Sequence, residues 1–144
     1  MNTNEKNNAI WEWLKTCEYL KDMFFNFGED KNNNTIIASN VSEANIKEFV
    51  DGSKKKVYQF TVIQFKKTSI IPNSKQNINT LVDVTSVMEW IEAQDKIRNY
   101  PNFGSLCLIE SVKNLQNIPN VAGQDKQGAK YMFAVEVTYL ERKE

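Results

Sequence analysis

The sequence predicts an α+β domain: one mainly antiparallel sheet with two helices packed on it, in the order α-β-β-β-α-β-β. Three observations carry this. Two segments repeat apolar residues at three- and four-residue spacing, several others alternate at period two, and an Asp-Gly pair stands between two apolar runs. Strands gathered in runs between two helices, without strict βαβ alternation, favour an antiparallel sheet with helices segregated on it.

The first helix is expected from about Asn7 or Asn8 to Lys21, where Ile10, Trp13, Leu14, Cys17 and Leu20 make one apolar stripe and Glu12, Lys15 and Glu18 lie off it. Met23 to Phe27 reads as a short strand ended by Gly28, Glu29 to Asn34 as a polar turn, and Thr35 to Ala38 as a second short strand. Ile46 to Val50 and Val57 to Lys67 read as the arms of a hairpin around Asp51-Gly52-Ser53, because such a turn needs a positive φ that glycine supplies freely. In the second arm Tyr58, Phe60 and Val62 share one face while Ile63 and Phe65 fall on the other. Either both faces are buried or a bulge shifts the phase.

Ser69 to Asn77 is expected to be a loop holding Pro72. The second helix is expected over about Asn79 to Arg98, with Leu81, Val84, Met88 and Ile91 as its stripe, Val87 and Trp90 widening it, and Asn77 or Asn79 as N-cap. Pro101 ends it by disfavouring α geometry in the residue before it. Ser105 to Gln116 and Lys130 to Leu140 are the closing strands, the second with Tyr131, Phe133, Val135, Val137 and Tyr139 on one face. Pro119 to Gly128 is a polar connection between them. No internal repeat or linker interrupts residues 1–144, so a single domain is expected.

Composition narrows the function classes. The 144 residues carry 18 Lys plus Arg and 18 Asp plus Glu, a formal net charge of zero, which argues against a dedicated nucleic-acid binder. Near-neutral chains also tend to associate. Met1 to Asn8 is polar and unlike a signal peptide, and no apolar run approaches the ~20 residues of a membrane span. A soluble protein made in the cytoplasm, with no membrane partner, is expected. Cys17 and Cys107 each follow an amphipathic rhythm and read as buried thiols.

Catalytic chemistry finds little support. The chain has no histidine, so a Ser–His–Asp or Cys–His nucleophile lacks its base. Two distant cysteines do not make a zinc site, and none of the five glycines opens a helix as a phosphate-cradling loop does. Glu89 and Glu92 share a helix face at i,i+3 and read as solvated. No enzyme activity, cofactor or metal is expected; a small transferase is the alternative from that class. Lys54-Lys55-Lys56 reads as a charged hairpin tip that keeps the strand end from pairing promiscuously, ahead of a reading as a phosphate contact. Trp11 and Trp13 are two residues apart and point to different helix faces, so one is expected in the core and the other at a surface.

Several phrases carry a resemblance. Ile10-Trp11-Glu12-Trp13-Leu14-Lys15-Thr16-Cys17, then Phe24-Phe25-Asn26-Phe27-Gly28; Val50-Asp51-Gly52-Ser53-Lys54 with Tyr58-Gln59-Phe60; Asn99-Tyr100-Pro101-Asn102-Phe103-Gly104; Val121-Ala122-Gly123; and Gly128-Ala129-Lys130-Tyr131 are spread over nearly the whole chain. Together they resemble the tail terminator (tail completion, or minor tail) proteins of phages infecting low-GC Gram-positive bacteria. The Asn32 to Asn34 turn departs from that pattern. The resemblance implies a small α+β sandwich forming a ring, usually a hexamer, that caps the finished tail tube at the head–tail junction of the virion. Its implied partners are copies of itself, the tail tube protein (and the sheath of a contractile tail), the head connector, and DNA passing through the lumen without sequence-specific binding. It supplies no catalytic or ligand residue. A head-completion or stopper protein of the connector is the alternative within the same setting.

A ring also fits the residues. Head-to-tail contacts with rotational closure let one neutral subunit build a circular cap. The strand Lys130 to Leu140, long and with few charges, would be a hazard at a bare sheet edge and is expected to be covered by a neighbour. The surfaces expected to reach neighbours, tube or lumen are Trp11, the hairpin tip Asp51, Gly52, Ser53, Lys54, Lys55 and Lys56, and the connection residues Asn120, Gly123, Gln124, Asp125 and Lys126.

Overall fold

In a computed structural model that describes residues 3–20, 23–25, 35–66, 75–116, 119–124 and 128–143, helix α1 spans Thr3–Leu14. It begins about four residues earlier than the apolar stripe suggests. It also ends sooner: Lys15 donates to the Trp11 carbonyl, and from Thr16 onward the bonds tighten to i−3, carrying Cys17 into the core on a turn rather than a helix. The early start has a physical reason. Lys6 lies four residues before Ile10 and seven before Trp13, so its long stem continues the apolar stripe.

Among the described residues six strands follow: β1 Met23–Phe25, β2 Thr35–Glu48, β3 Lys54–Lys66, then after helix α2 (Lys75–Lys96) β4 Cys107–Asn114, β5 Asn120–Gln124 and β6 Ala129–Glu141. The sheet order is β1-β2-β3-β6-β4, with β5 also on β6. Among the described strands only the β1–β2 pair is parallel; the rest are antiparallel. The α+β class and the α-β-β-β-α-β-β order are as the sequence predicts. The connection from Pro119 to Gly128 carries the additional short strand β5; the run Thr35 to Ala38 and the first part of the run Ile46 to Val50, as far as Glu48, join in one long β2, while Phe49 and Val50 fall in the turn. The turn expected at Glu29 to Asn34 lies outside the described residues, as does most of the loop expected around Pro72.

The phase question in β3 has a definite answer. Its register with β6 is unbroken from Lys54↔Glu141 to Lys66↔Ala129, so β3 has no bulge against that neighbour. The irregularities are in β2, which advances from Ser39 to Glu43 while β3 advances only from Phe60 to Tyr58, and again between Asn45 and Lys47. On β3 itself Tyr58, Phe60 and Val62 are buried on one face, while Val57 and Thr61 are buried on the other. Both faces are thus partly closed.

β6 occupies the middle of the sheet, which corrects the expectation of an edge strand needing cover from a neighbour. β3 lies along one side of it; β4 (against 135–141) and β5 (against 129–132) share the other. The gap between β4 and β5 is closed at Ala134, whose carbonyl accepts from the Leu115 amide at 2.9 Å and whose amide donates to the Gln116 side chain at 2.7 Å. Its low charge is that of an internal strand.

The core lies between the sheet and both helices. Phe60 pairs with Val135, so Tyr58, Phe60 and Val62 share a face with Phe133, Val135, Val137 and Tyr139. Ile10, Trp13 and Leu14 of α1 and Val84, Val87, Met88 and Ile91 of α2 complete the same buried cluster. Burying each such side chain contributes about 1.5–3 kcal/mol relative to exposure. Trp13 packs on Trp90 at 5.0 Å between ring centroids and donates its indole N–H to the Asn99 carbonyl.

α2 ends in a Schellman motif: the Asn99 amide reaches back to Gln94 O and the Arg98 amide to Asp95 O, with Arg98 at φ 57°. Pro101 is buried just beyond. The second half of α2 also seals the margin of β4. Asp95 accepts from the Val112 amide at 3.0 Å, and Asn114 donates to Met88 O.

Candidate functional site

The hairpin β2–β3 ends in a three-residue loop. The Phe49 amide donates to Ser53 O, the Gly52 amide donates to Phe49 O, and Gly52 takes φ 88°. Asp51 organises it by accepting from the Ser53 amide (2.9 Å) and hydroxyl (2.6 Å). These bonds, the hydroxyl first, hold the Asp51 carboxyl below its usual range. Ser53 is consequently buried and positions the turn, while Asp51 is exposed.

The turn presents apolar side chains to solvent. Ile46 is 57% exposed, Val50 is fully exposed, and Phe49 is partly covered by the Lys47 ammonium 5.2 Å from its ring centroid. Asp51-Gly52 was legible as a turn, but Ile46 and Val50 read as arm residues, whose side chains would normally be half-covered. β1 pairs only with residues 35–37 of β2, so among the described residues the remaining outer edge of β2 has no strand beside it. At the opposite margin Leu108, Leu115 and Val121 are exposed beside the α2 seal. The two margins differ in shape and in the side chains they offer.

The lysine run of the tip divides by strand alternation. Lys55 pairs with Glu110 at 3.2 Å. Lys56 forms an ion pair with Glu141 at 2.5 Å, and this contact holds the Glu141 carboxyl below its ordinary value against the opposing effect of burial. Lys54, Lys56, Glu141, Arg142 and Lys143 line a cleft of about 310 Å³ with Gly52. Arg142 and Lys143 escaped notice in the sequence because they lie almost ninety positions from the hairpin.

Next to this end of the sheet lies a buried cation. Lys6 is 1% exposed, donates to the Tyr139 hydroxyl at 2.9 Å and sits 4.9 Å from that ring's centroid. Asn7 accepts from the Tyr58 hydroxyl, and Phe103 packs edge-on against both tyrosines. Cys107 is half-buried and Cys17 buried; both are free thiols, and burial raises the pKa of each.

The other expected surface residues stand apart. Trp11 is half-buried on α1, whereas Trp13 is in the core, as two different helix faces require. Asn120, Gly123 and Gln124 belong to β5, on the far half of β6 from the hairpin tip; Asp125 and Lys126 lie outside the described residues. Glu89 and Glu92 are exposed. A groove of about 720 Å³ runs between α1 (Asn8, Glu12) and Tyr100-Pro101. Among the described residues no group of three or more His, Cys, Asp or Glu converges to hold a metal ion, and no helix is long and apolar enough to cross a membrane. In comparisons with known proteins, no family model and no curated protein matches the chain.

Proposed function

We propose that the protein is a structural component that assembles with copies of itself into a ring, in the role of a tail terminator that caps a phage tail tube and joins it to the head connector. The observation that carries the reading is the apolar hairpin end of β2, with Ile46 on the strand and Val50 in the turn both in solvent, and with the outer edge of β2 largely without a partner strand among the described residues. Exposed apolar residues on a neutral chain favour association, and a backbone edge supplies directional bonds to it. The opposite margin, with Leu108, Leu115 and Val121, offers a different surface. Two unlike surfaces on opposite sides of one subunit are what a head-to-tail ring requires, whereas a two-fold dimer buries the same surface twice. The resemblance spread over residues 10–131 supplies the specific setting; the geometry supports assembly as such.

Native mass spectrometry and negative-stain imaging of the purified protein test this. Closed rings of one defined copy number are expected, and Val50→Asp with Ile46→Lys should return the protein to a folded monomer. A wild-type chain that stays monomeric at millimolar concentration, with no ring in the images, removes the proposal.

A further inference from the structure

We infer that the cleft at the hairpin end of the sheet is a binding site for a phosphate group, either free or in the backbone of a nucleic acid. The lysine run alone reads as a solvated tip, and the register changes that reading. Lys54 lies opposite Glu141 in the β3–β6 ladder, so the chain leaving β6 brings Arg142 and Lys143 to the same place. Four cationic side chains and a single carboxylate then line one concavity of about 310 Å³. The carboxylate is engaged by Lys56, which leaves the excess positive charge on Lys54, Arg142 and Lys143.

The cleft is built rather than incidental. Arg142 is anchored through its amide to the Leu106 carbonyl at 2.8 Å, continuing the sheet one residue past β6. Lys143 lies against the turn because Gly52 has no side chain: a Cβ there would stand 2.5 Å from the Lys143 Cδ. The same glycine serves the turn through its positive φ. Lys6 adds a buried positive charge next to Tyr139, the β6 residue opposite Lys56.

Zero net charge does not oppose a local site. α2 carries Asp83, Glu89, Glu92 and Asp95 against Lys75 and Lys96, so acidic charge gathers on the helical layer while the hairpin end is cationic. Such separation orients an approaching anion toward the cleft. A phosphate bears several acceptor oxygens for a guanidinium and two ammonium groups at once, and Arg pairs with it through two N–H bonds. The inference does not need the ring.

The test has two arms on the full chain. In one, inorganic phosphate is titrated while amide shifts of Gly52, Lys54 and Arg142 are followed by NMR. In the other, a fluorescent 20-base-pair duplex is titrated at several salt concentrations. Three phosphate contacts on a duplex predict a slope of log K against log salt near −2.7, or about a forty-fold loss from 50 to 200 mM. Lys54→Gln with Lys143→Gln should cut that loss to about four-fold, while Lys54→Arg with Lys143→Arg keeps it. Native mass measured in parallel separates a failed site from failed assembly. Shifts with phosphate but no duplex binding assign the site to free phosphate. No shift and no duplex binding at 20 mM salt overturn the inference, as does binding that both variants leave unchanged.

Discussion

Replacing Tyr139 by Phe removes one oxygen atom from the protein and should be felt across the whole molecule. That hydroxyl accepts from the buried Lys6 ammonium at 2.9 Å, at a position where Lys6 is 1% exposed. Hydrogen bonds to a charged group contribute about 1.5–3 kcal/mol, and the ammonium remains buried when this bond is gone. A loss of about 2 kcal/mol, with an unfolding entropy of roughly 2.1 cal/mol/K per residue over 144 residues, lowers Tm by about 7 °C. Lys6→Met keeps the stem that packs in the α1 stripe and discards the charge, so it should fall much closer to the wild type. In that background Tyr139→Phe should cost less than about 0.5 kcal/mol, because the removed hydroxyl no longer serves a cation. Scanning calorimetry of the four proteins at neutral pH closes the cycle. Equal costs of Tyr139→Phe in both backgrounds, or a Tm change under about 2 °C in the wild type, would refute the reasoning.

Further outcomes follow from other positions. Phe60→Ala should cost about 3–5 kcal/mol in chemical denaturation, since the ring is fully buried at the centre of the sheet. Arg98→Gly should raise stability by about 1 kcal/mol, because Arg98 holds the left-handed position of the α2 Schellman motif at φ 57°; an unchanged or lower Tm would mean that its ring contact with Tyr100, 5.5 Å to the centroid, matters more. Gly52→Ala should destabilise by about 1 kcal/mol or more through its φ of 88° and displace Lys143, which NMR of the 142–143 amides would register. Glu141 has a folded pKa below its ordinary 4.5, so its contribution is complete above that value and is lost as pH falls through the folded one. Lys56→Met should flatten this part of the acid limb of the stability–pH curve, and an unaltered curve would count against the Lys56–Glu141 pair as its origin.

The sheet and both helices were legible because their residues keep strict rhythms: Tyr131 to Tyr139 at period two, Val84, Met88 and Ile91 at the helical period. Rhythm fails where chemistry and position part company. Lys6 behaves as an apolar stem with a satisfied head, so the helix start was hidden behind a charged letter. The middle of β2, from Ser39 to Asn45, is polar and twice irregular in register, which broke one strand into two apparent ones. The central place of β6 depends on pairings made over long sequence distances, and a low-charge strand looks the same in the middle of a sheet as at a hazardous edge. The cationic cleft was half legible: the lysine run was plain, but its partners Arg142 and Lys143 join it only through the β3–β6 ladder. Trp13 is in the core and Trp11 half-buried, on the two different faces that helix geometry dictates.

That ladder also governs the order in which the molecule is made. A chain synthesised only to residue 128 contains both helices and the strands β3 and β4, yet those two strands have no common neighbour to join them. The nascent protein therefore carries the paired strands β1-β2-β3 and, apart from them, β4 and β5 with open backbone ladders until residues 129–141 emerge and slot between them. Folding must be late and concerted, closing contacts between segments some seventy positions apart, and such topologies are slow and prone to aggregate in the interval. Newly made chains that crowd together before this insertion would meet through raw strands, and afterwards only through the margins that the finished sheet leaves open.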